Sequence, residues 1–130
     1  VRSPSTRNWT NINYLRRGIN ITLAFISNNQ VSCEIYIDVA DAESNSAVLK
    51  ELLLHRDEVE LAVGGPLLWE DIPLKRACRI RAVTTGDVSK MDTHGALIKW
   101  MISHQLKMKA ALKPLIEQLP DELWDFGNTD

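Results

Sequence analysis

Two runs near the start of the chain decide most of what it can fold into. GINITLAFI (residues 18–26) sets Ile19, Ile21, Leu23 and Phe25 on alternate positions, with Asn20, Thr22 and Ala24 between them. VSCEIYIDV (31–39) repeats the pattern. Val31, Cys33, Ile35, Ile37 and Val39 share one parity, and Ser32, Glu34, Tyr36 and Asp38 take the other. Successive side chains of a strand point to opposite faces, so each run reads as a half-buried strand. SNNQ between them supplies turn chemistry. The pair predicts a hairpin with one apolar and one wet face, the mark of an antiparallel sheet.

DAESNSA (41–47) offers several helix N-caps, and a helix is expected from about Ser46 to Val63. Val48, Leu49, Leu52, Leu53, Val59 and Val63 recur at helical spacing and form its buried stripe. Gly64 suits the residue just past the end, because glycine enters the left-handed region without a Cβ penalty. PLLWEDI and KRACRIRAV then read as two short strands joined at Pro73, and TTGDVSKMD as a loop. A long helix follows from about Asp92 to Leu119, with a kink or break expected at Pro114. The order is ββαββα: an α+β fold of about four antiparallel strands with two helices packed on one face.

The chain has 130 residues, 45% hydrophobic and 25% charged, which suits one soluble domain with its own core. Its formal charge of −2 argues against a uniformly basic nucleic-acid coat. Asp121, Glu122, Asp125 and Asp130 crowd the last ten residues; without them the balance is +2, a mildly basic body with an acidic tail. Two cysteines are too few for a disulfide framework or a zinc cluster. No run is long enough for a membrane span, and a cytoplasmic location is expected. The first residue is Val, and residues 1–8 suit a linker or expression remnant ahead of a domain at 9–119 and the tail at 120–130. A piece of a longer protein is the expectation.

Several stretches together resemble a prokaryotic domain family of unknown function. These are Arg16-Arg17-Gly18-Ile19 at a strand start, VSCEIYI, VELAVG running into WEDIPLKRACRI, Trp100 in the last helix, and the closing PLIEQL. The resemblance covers roughly residues 8 to 119. Members often lie at the C-terminal end of proteins with a restriction-endonuclease-like N-terminal region. The resemblance carries over no catalytic residue, and it implies that chemistry resides in that N-terminal portion.

A restriction-type metal site needs two carboxylates and a lysine converging on hydrated Mg²⁺. Glu70, Asp71 and Lys75 come nearest, but Pro73 intervenes and the spacing is wrong for one strand face. No phosphate-binding glycine loop and no G-x-S-x-G elbow is present. His94 and His104 lie too far apart for a helical metal pair, and His104 falls among Leu97, Met101, Met108, Ala111 and Leu115 as a core histidine. Trp69 reads as a core anchor, and Cys33 and Cys78 as small hydrophobes. No catalytic residue, metal or cofactor is expected.

Two surfaces remain. Arg16, Arg17, Lys75, Arg76, Arg79 and Arg81 form the candidate nucleic-acid contact, since Arg79 and Arg81 share a strand face opposite Cys78 and Ile80. The alternative is that Glu34 and Asp38 pair with these arginines, which implies no ligand. Ile98, Ile102, Leu106 and Ile116 give the last helix a second apolar face, the candidate partner interface. Leu54 and Leu61 form a weaker one on the first helix. Another subunit, an N-terminal portion of the parent protein, or the chain's own Leu123, Trp124 and Phe126 would cover such a face. These features lead to a non-catalytic interaction domain of a larger DNA-processing or defence protein, acting by assembly or non-specific DNA contact. The alternatives are a homodimerisation module without nucleic acid and an enzyme with an unrecognised site.

Overall fold

The computed structural model describes residues 7–26, 30–72, 74–85 and 91–124, with backbone alone for 7–13, 26 and 91–94. The turn centre at 27–29, Pro73, the 86–90 loop, the His94 side chain and Phe126 lie outside the described residues. The elements are β1 (Arg7–Arg16), β2 (Ile19–Ile26), β3 (Gln30–Ile37), α1 (Ala42–Leu53), α2 (Arg56–Val63), β4 (Leu68–Asp71), β5 (Cys78–Thr85) and α3 (Met91–Glu117). A 3-10 turn over Asp121–Trp124 follows. One sheet runs in the order β1-β2-β3-β5-β4, every neighbouring pair antiparallel.

The α+β class and the antiparallel sheet are as expected, but among the described residues the sheet has five strands and the α-helices number three. The additional strand is β1. Its apolar residues Trp9, Ile12 and Leu15 recur every third position, which is not the strand period. The register with β2 shifts between Asn11 and Asn13 and again between Tyr14 and Arg16. Each bulge inserts one residue and resets the alternation, which removes the sequence signal. The β2–β3 hairpin pairs Ile21 with Ile35 and Leu23 with Cys33, as the alternation required.

The single helix expected over 46–63 begins at Ala42 and divides at Leu54–His55. Asp41 caps it, its carboxylate accepting from Ser44 N at 2.8 Å. At the division Leu54 N and His55 N bond back to Glu51 O and Leu52 O, tightening the chain to three-residue turns. Neither Gly nor Pro marks this bend. Leu52 and Val59, seven residues apart, both stay buried, so one apolar stripe serves both helices. Gly64 takes φ 102° and ends α2 as expected. Pro114 does not divide α3; the helix runs through it to Glu117.

The apolar sheet face carries Ile19, Ile21, Cys33, Ile35, Ile37, Cys78 and Ile80. It meets Val48 and Leu52 of α1, Val59 and Val63 of α2, and Met108, Leu112 and Ile116 of α3 in one continuous cluster. Gly18, in the β1–β2 turn, sits at φ 82°, and a Cβ there would lie 2.7 Å from Val39 Cα. No helix of the described residues is long and apolar enough to cross a membrane.

Candidate interaction surfaces and the arginine network

The second sheet face is not wet. Thr22, Ala24, Ser32 and Glu34 are buried, and β5 brings its arginines to this face beside β3. The register sets Arg81 opposite Glu34 and Arg79 opposite Tyr36, while β4 sets Glu70 opposite Arg79. Arg79 Nε donates to Glu70 Oε1 at 2.6 Å, and Arg79 Nη1 lies 4.0 Å from Glu34 Oε2. Arg81 Nε lies 2.7 Å from the same Glu70 oxygen, without the alignment of a hydrogen bond. Ser32 Oγ donates to Glu34 Oε2 at 2.8 Å. Two arginines thus face two glutamates.

Arg16 and Arg17 sit at the other side of the sheet and hold the end of α3. Arg16 Nη1 donates to the carbonyl of Ile116 (2.8 Å), which also accepts from Leu119 N (3.2 Å), and to that of Leu119 (3.1 Å) just past the helix end. Its Nη2 meets Asp121 Oδ1 at 2.7 Å, and its guanidinium lies 3.7 Å from the Trp124 ring centre. Arg17 Nη2 donates to Trp124 O at 2.8 Å, and Trp124 Nε1 returns a bond to Arg17 O at 2.6 Å. Trp124 is buried with the core and Leu123 packs against it. The segment read as an acidic tail therefore contributes an apolar anchor.

The remaining candidate cations lie in the β4–β5 loop. Arg76 Nε pairs with Asp38 Oδ1 at 2.8 Å, and Lys75 is exposed. Leu74 between them and β4 adopts φ 63°, uncommon for a leucine, and is fully exposed. Asp71 is not near Lys75 in function: its Oδ1 accepts from Ser46 Oγ at 2.8 Å and from Cys78 Sγ at 3.0 Å. Those bonds, the thiol's first, hold its carboxyl below the ordinary range. Burial, then the bond to Asp71, pushes the Cys78 thiol up to about 12; burial, then Glu34, does the same to Cys33. Neither thiol is a nucleophile at neutral pH. Among the described residues, no three His, Cys, Asp or Glu side chains are placed to share a cation.

Two polar residues without a role in the sequence reading turn out to organise loops. Asn45 is fully buried and accepts from Val39 N and Ala40 N while donating to Asp38, Ala40 O and Arg76 O. It ties the β3–α1 connection to the β4–β5 loop. Glu60 accepts from Leu67 N (2.9 Å), Trp69 Nε1 (3.0 Å) and Arg56 Nε (3.3 Å), and the bonds from Leu67 and Trp69 keep its carboxyl below the ordinary range. Glu60 lies nine residues before Trp69, a separation at which only the observed turn at Gly64–Pro66 brings them together. Trp69 itself is half-buried against the core, as expected of an anchor.

Exposed apolar residues lie on the strands and the β4–β5 loop as well (Tyr14, Phe25, Leu68 and Leu74), and on the helical layer they form two groups. Ile98, Ile102 and Leu106 of α3 are 52%, 53% and 55% exposed, and Leu54 and Leu61 of α1–α2 are 76% and 84% exposed. Ile116 belongs instead to the core. It shares an azimuth with Ile98, about five helical turns away, but α3 enters the core through Met108, Leu112 and Ile116. Trp124 and Leu123 close the core at the end of α3 and leave Ile98, Ile102 and Leu106 uncovered. His104 stacks on Trp100 with ring centres 4.3 Å apart, and its Nδ1 lies 3.1 Å from Trp100 O. Burial lowers its pKa, favouring the neutral ring.

These features define a small α+β domain whose charged groups largely serve its own scaffold and whose helical layer exposes two groups of apolar side chains. The chain belongs to the domain of unknown function family DUF4268, whose family model matches residues 1–116. The arginine network and the α3 stripe lie inside that match; Trp124 and the 3-10 turn that anchors it lie beyond it. Searches of curated proteins and of solved structures returned no match.

Proposed function

We propose that this chain is a non-catalytic interaction domain that serves assembly within a larger prokaryotic DNA-processing or defence protein of the cytoplasm. The observation that carries the reading is the row Ile98, Ile102 and Leu106, each about half exposed on one side of α3 although a well-packed core lies on the other. A solvated helix face is ordinarily charged there, and contiguous exposed apolar residues mark interaction sites. The larger setting rests on the resemblance of the Arg16–Gly18, VSCEIYI and WEDIPLKRACRI segments to domains found beside restriction-endonuclease-like regions.

Non-specific duplex contact draws less support. Arg16, Arg17, Arg76, Arg79 and Arg81 already meet internal acceptors, which leaves Lys75 as the candidate cation least engaged. A catalytic role draws less still, since Glu60, Glu70 and Asp71 each hold structural donors. A photo-crosslinking residue at position 102, in the protein expressed in its native cells, tests the reading. The expected result is a discrete adduct to a defined protein surface; an uncrosslinked chain under conditions that label a control interface overturns it.

A further inference from the structure

The two exposed apolar faces carry opposite charge. On α3 the row Ile98, Ile102 and Leu106 advances by four residues at each step and spans about 12 Å. Its helix carries Lys99, Lys107, Lys109 and Lys113 against Glu117 alone among the described side chains. Beside Leu106 the surface dips into a groove lined by Lys109, Ala110, Lys113, Pro114 and Glu117, where Lys113 Nζ lies 4.0 Å from Glu117 Oε2 and two lysines outnumber the one acid. Leu54, at the bend between α1 and α2, and Leu61 of α2 are both exposed, and Asp57 and Glu58 in the first turn of α2 lie between them along the chain. These two leucines are more exposed than the α3 row. A second depression runs along Leu53, Leu54, His55, Arg56, Asp57 and Glu58; Arg56 there is paired with Glu60 and His55 Nδ1 lies 3.0 Å from Glu58 Oε1, which leaves the acids in excess.

Resting on the interaction reading above, we infer that the partner of the α3 face is the α1–α2 face of a second copy of this chain. Like faces do not suit each other: α3 against α3 adds lysine to lysine, and α2 against α2 adds carboxylate to carboxylate. Pairing unlike faces sets Lys99 and Lys113 against Asp57 and Glu58. It also covers five exposed apolar side chains in a single contact, leucine meeting the isoleucine row and the groove. Charge complementarity of this kind fixes register and excludes wrong pairings. Both faces are present on every copy, so each chain offers one of each, and reciprocal use of both is the geometry of a two-fold pair.

Sedimentation velocity of the chain over a wide concentration range tests this, with thermal circular dichroism confirming that each variant is folded. The wild-type chain should sediment above monomer mass as concentration rises. Leu61→Glu should weaken association by about tenfold or more, since it places a third acid in an apolar contact. Lys99→Glu with Lys113→Glu should also weaken it by about tenfold. Adding Asp57→Lys and Glu58→Lys to that pair should restore it to within about threefold. Leu61→Ser replaces Leu61→Glu if the charge disturbs α2. A chain monomeric at every concentration, or association indifferent to Leu61, overturns the inference. Monomeric sedimentation combined with a discrete cross-link from position 102 leaves the interaction reading standing; absence of both removes the two together.

Discussion

Glu70→Ala separates a scaffold role for Arg79 and Arg81 from a ligand-facing one. Glu70 Oε1 receives Arg79 Nε at 2.6 Å and lies 2.7 Å from Arg81 Nε, and the two arginine side chains are 11% and 18% exposed. Removing one partner of a buried ion pair costs about 3–5 kcal/mol, and losing an exposed pair about 0–1 kcal/mol. Glu70 is 30% exposed, so solvent compensates part of the loss, and about 2–3 kcal/mol is expected. For a chain of this length that corresponds to a melting temperature lower by roughly 10 °C. Urea unfolding followed by tryptophan fluorescence gives the number directly. Arg56→Ala, which removes a largely exposed partner of Glu60, should cost below about 1 kcal/mol and sets the scale. Glu70→Gln, which keeps an acceptor but no charge, should fall between the two. If Glu70→Ala costs no more than Arg56→Ala, the arginines are solvated and the scaffold argument for the second sheet face fails. A gain in DNA affinity on Glu70→Ala would show in addition that Glu70 masks cations able to meet phosphate.

Gly18→Ala should destabilise by about 2–4 kcal/mol, combining a left-handed backbone with a Cβ 2.7 Å from Val39 Cα; denaturant unfolding measures it. Arg16→Ala should lose about 1–3 kcal/mol and release the end of α3, seen as faster amide exchange from Gln118 to Trp124 while the sheet stays protected. Both cysteines should resist alkylation at pH 8 in the folded chain and react once it is unfolded, because their thiols are pushed up to about 12. His104 has a folded pKa below its unfolded value of 6.5, so the unfolded chain binds the proton more readily. Stability should therefore decline as pH falls through 6.5 toward the folded value, and His104→Gln should flatten that part of the profile in pH-dependent melts.

The elements whose periodicity is undisturbed could be read directly. The β2–β3 hairpin, the stripe from Val48 to Val63 and the stop at Gly64 follow from alternation, helical spacing and the conformational freedom of glycine. What escaped did so for local physical reasons. β1 carries two bulges, so its apolar residues recur every third position and mimic no regular strand. The bend at Leu54–His55 has neither Gly nor Pro and shows only as three-residue turns in the backbone bonds. The second sheet face was expected to be wet because polar residues occupy it. Pairing of these arginines with Glu34 and Asp38 is legible as the alternative to a nucleic-acid contact, and Arg79–Glu34 and Arg76–Asp38 meet it; that Glu70 of the neighbouring β4 would engage both Arg79 and Arg81 is not. Ile116 was placed with Ile98 because a helical projection superposes residues five turns apart, whereas the sheet is met at only one of them.

The same comparison bears on where function can reside. The side chains that stand out in the sequence are the two arginines before Gly18, the acid in VSCEIYI, Trp69, Glu70 and Arg79. In the fold they bond to one another or to the backbone: Arg16 to the end of α3, Glu60 to Trp69, Glu70 to Arg79, Glu34 to Ser32. A group so engaged can serve a ligand only by giving up its internal partner, and in a sparsely hydrated cluster that exchange is costly. Leu54, Leu61, Ile98, Ile102 and Leu106 are in the opposite position. They lose nothing internal on contact, and covering them releases water from apolar surface, the ordinary driving force of association. The weight of a functional reading therefore moves from the polar residues that attract the eye to the apolar ones on helix faces that look unremarkable.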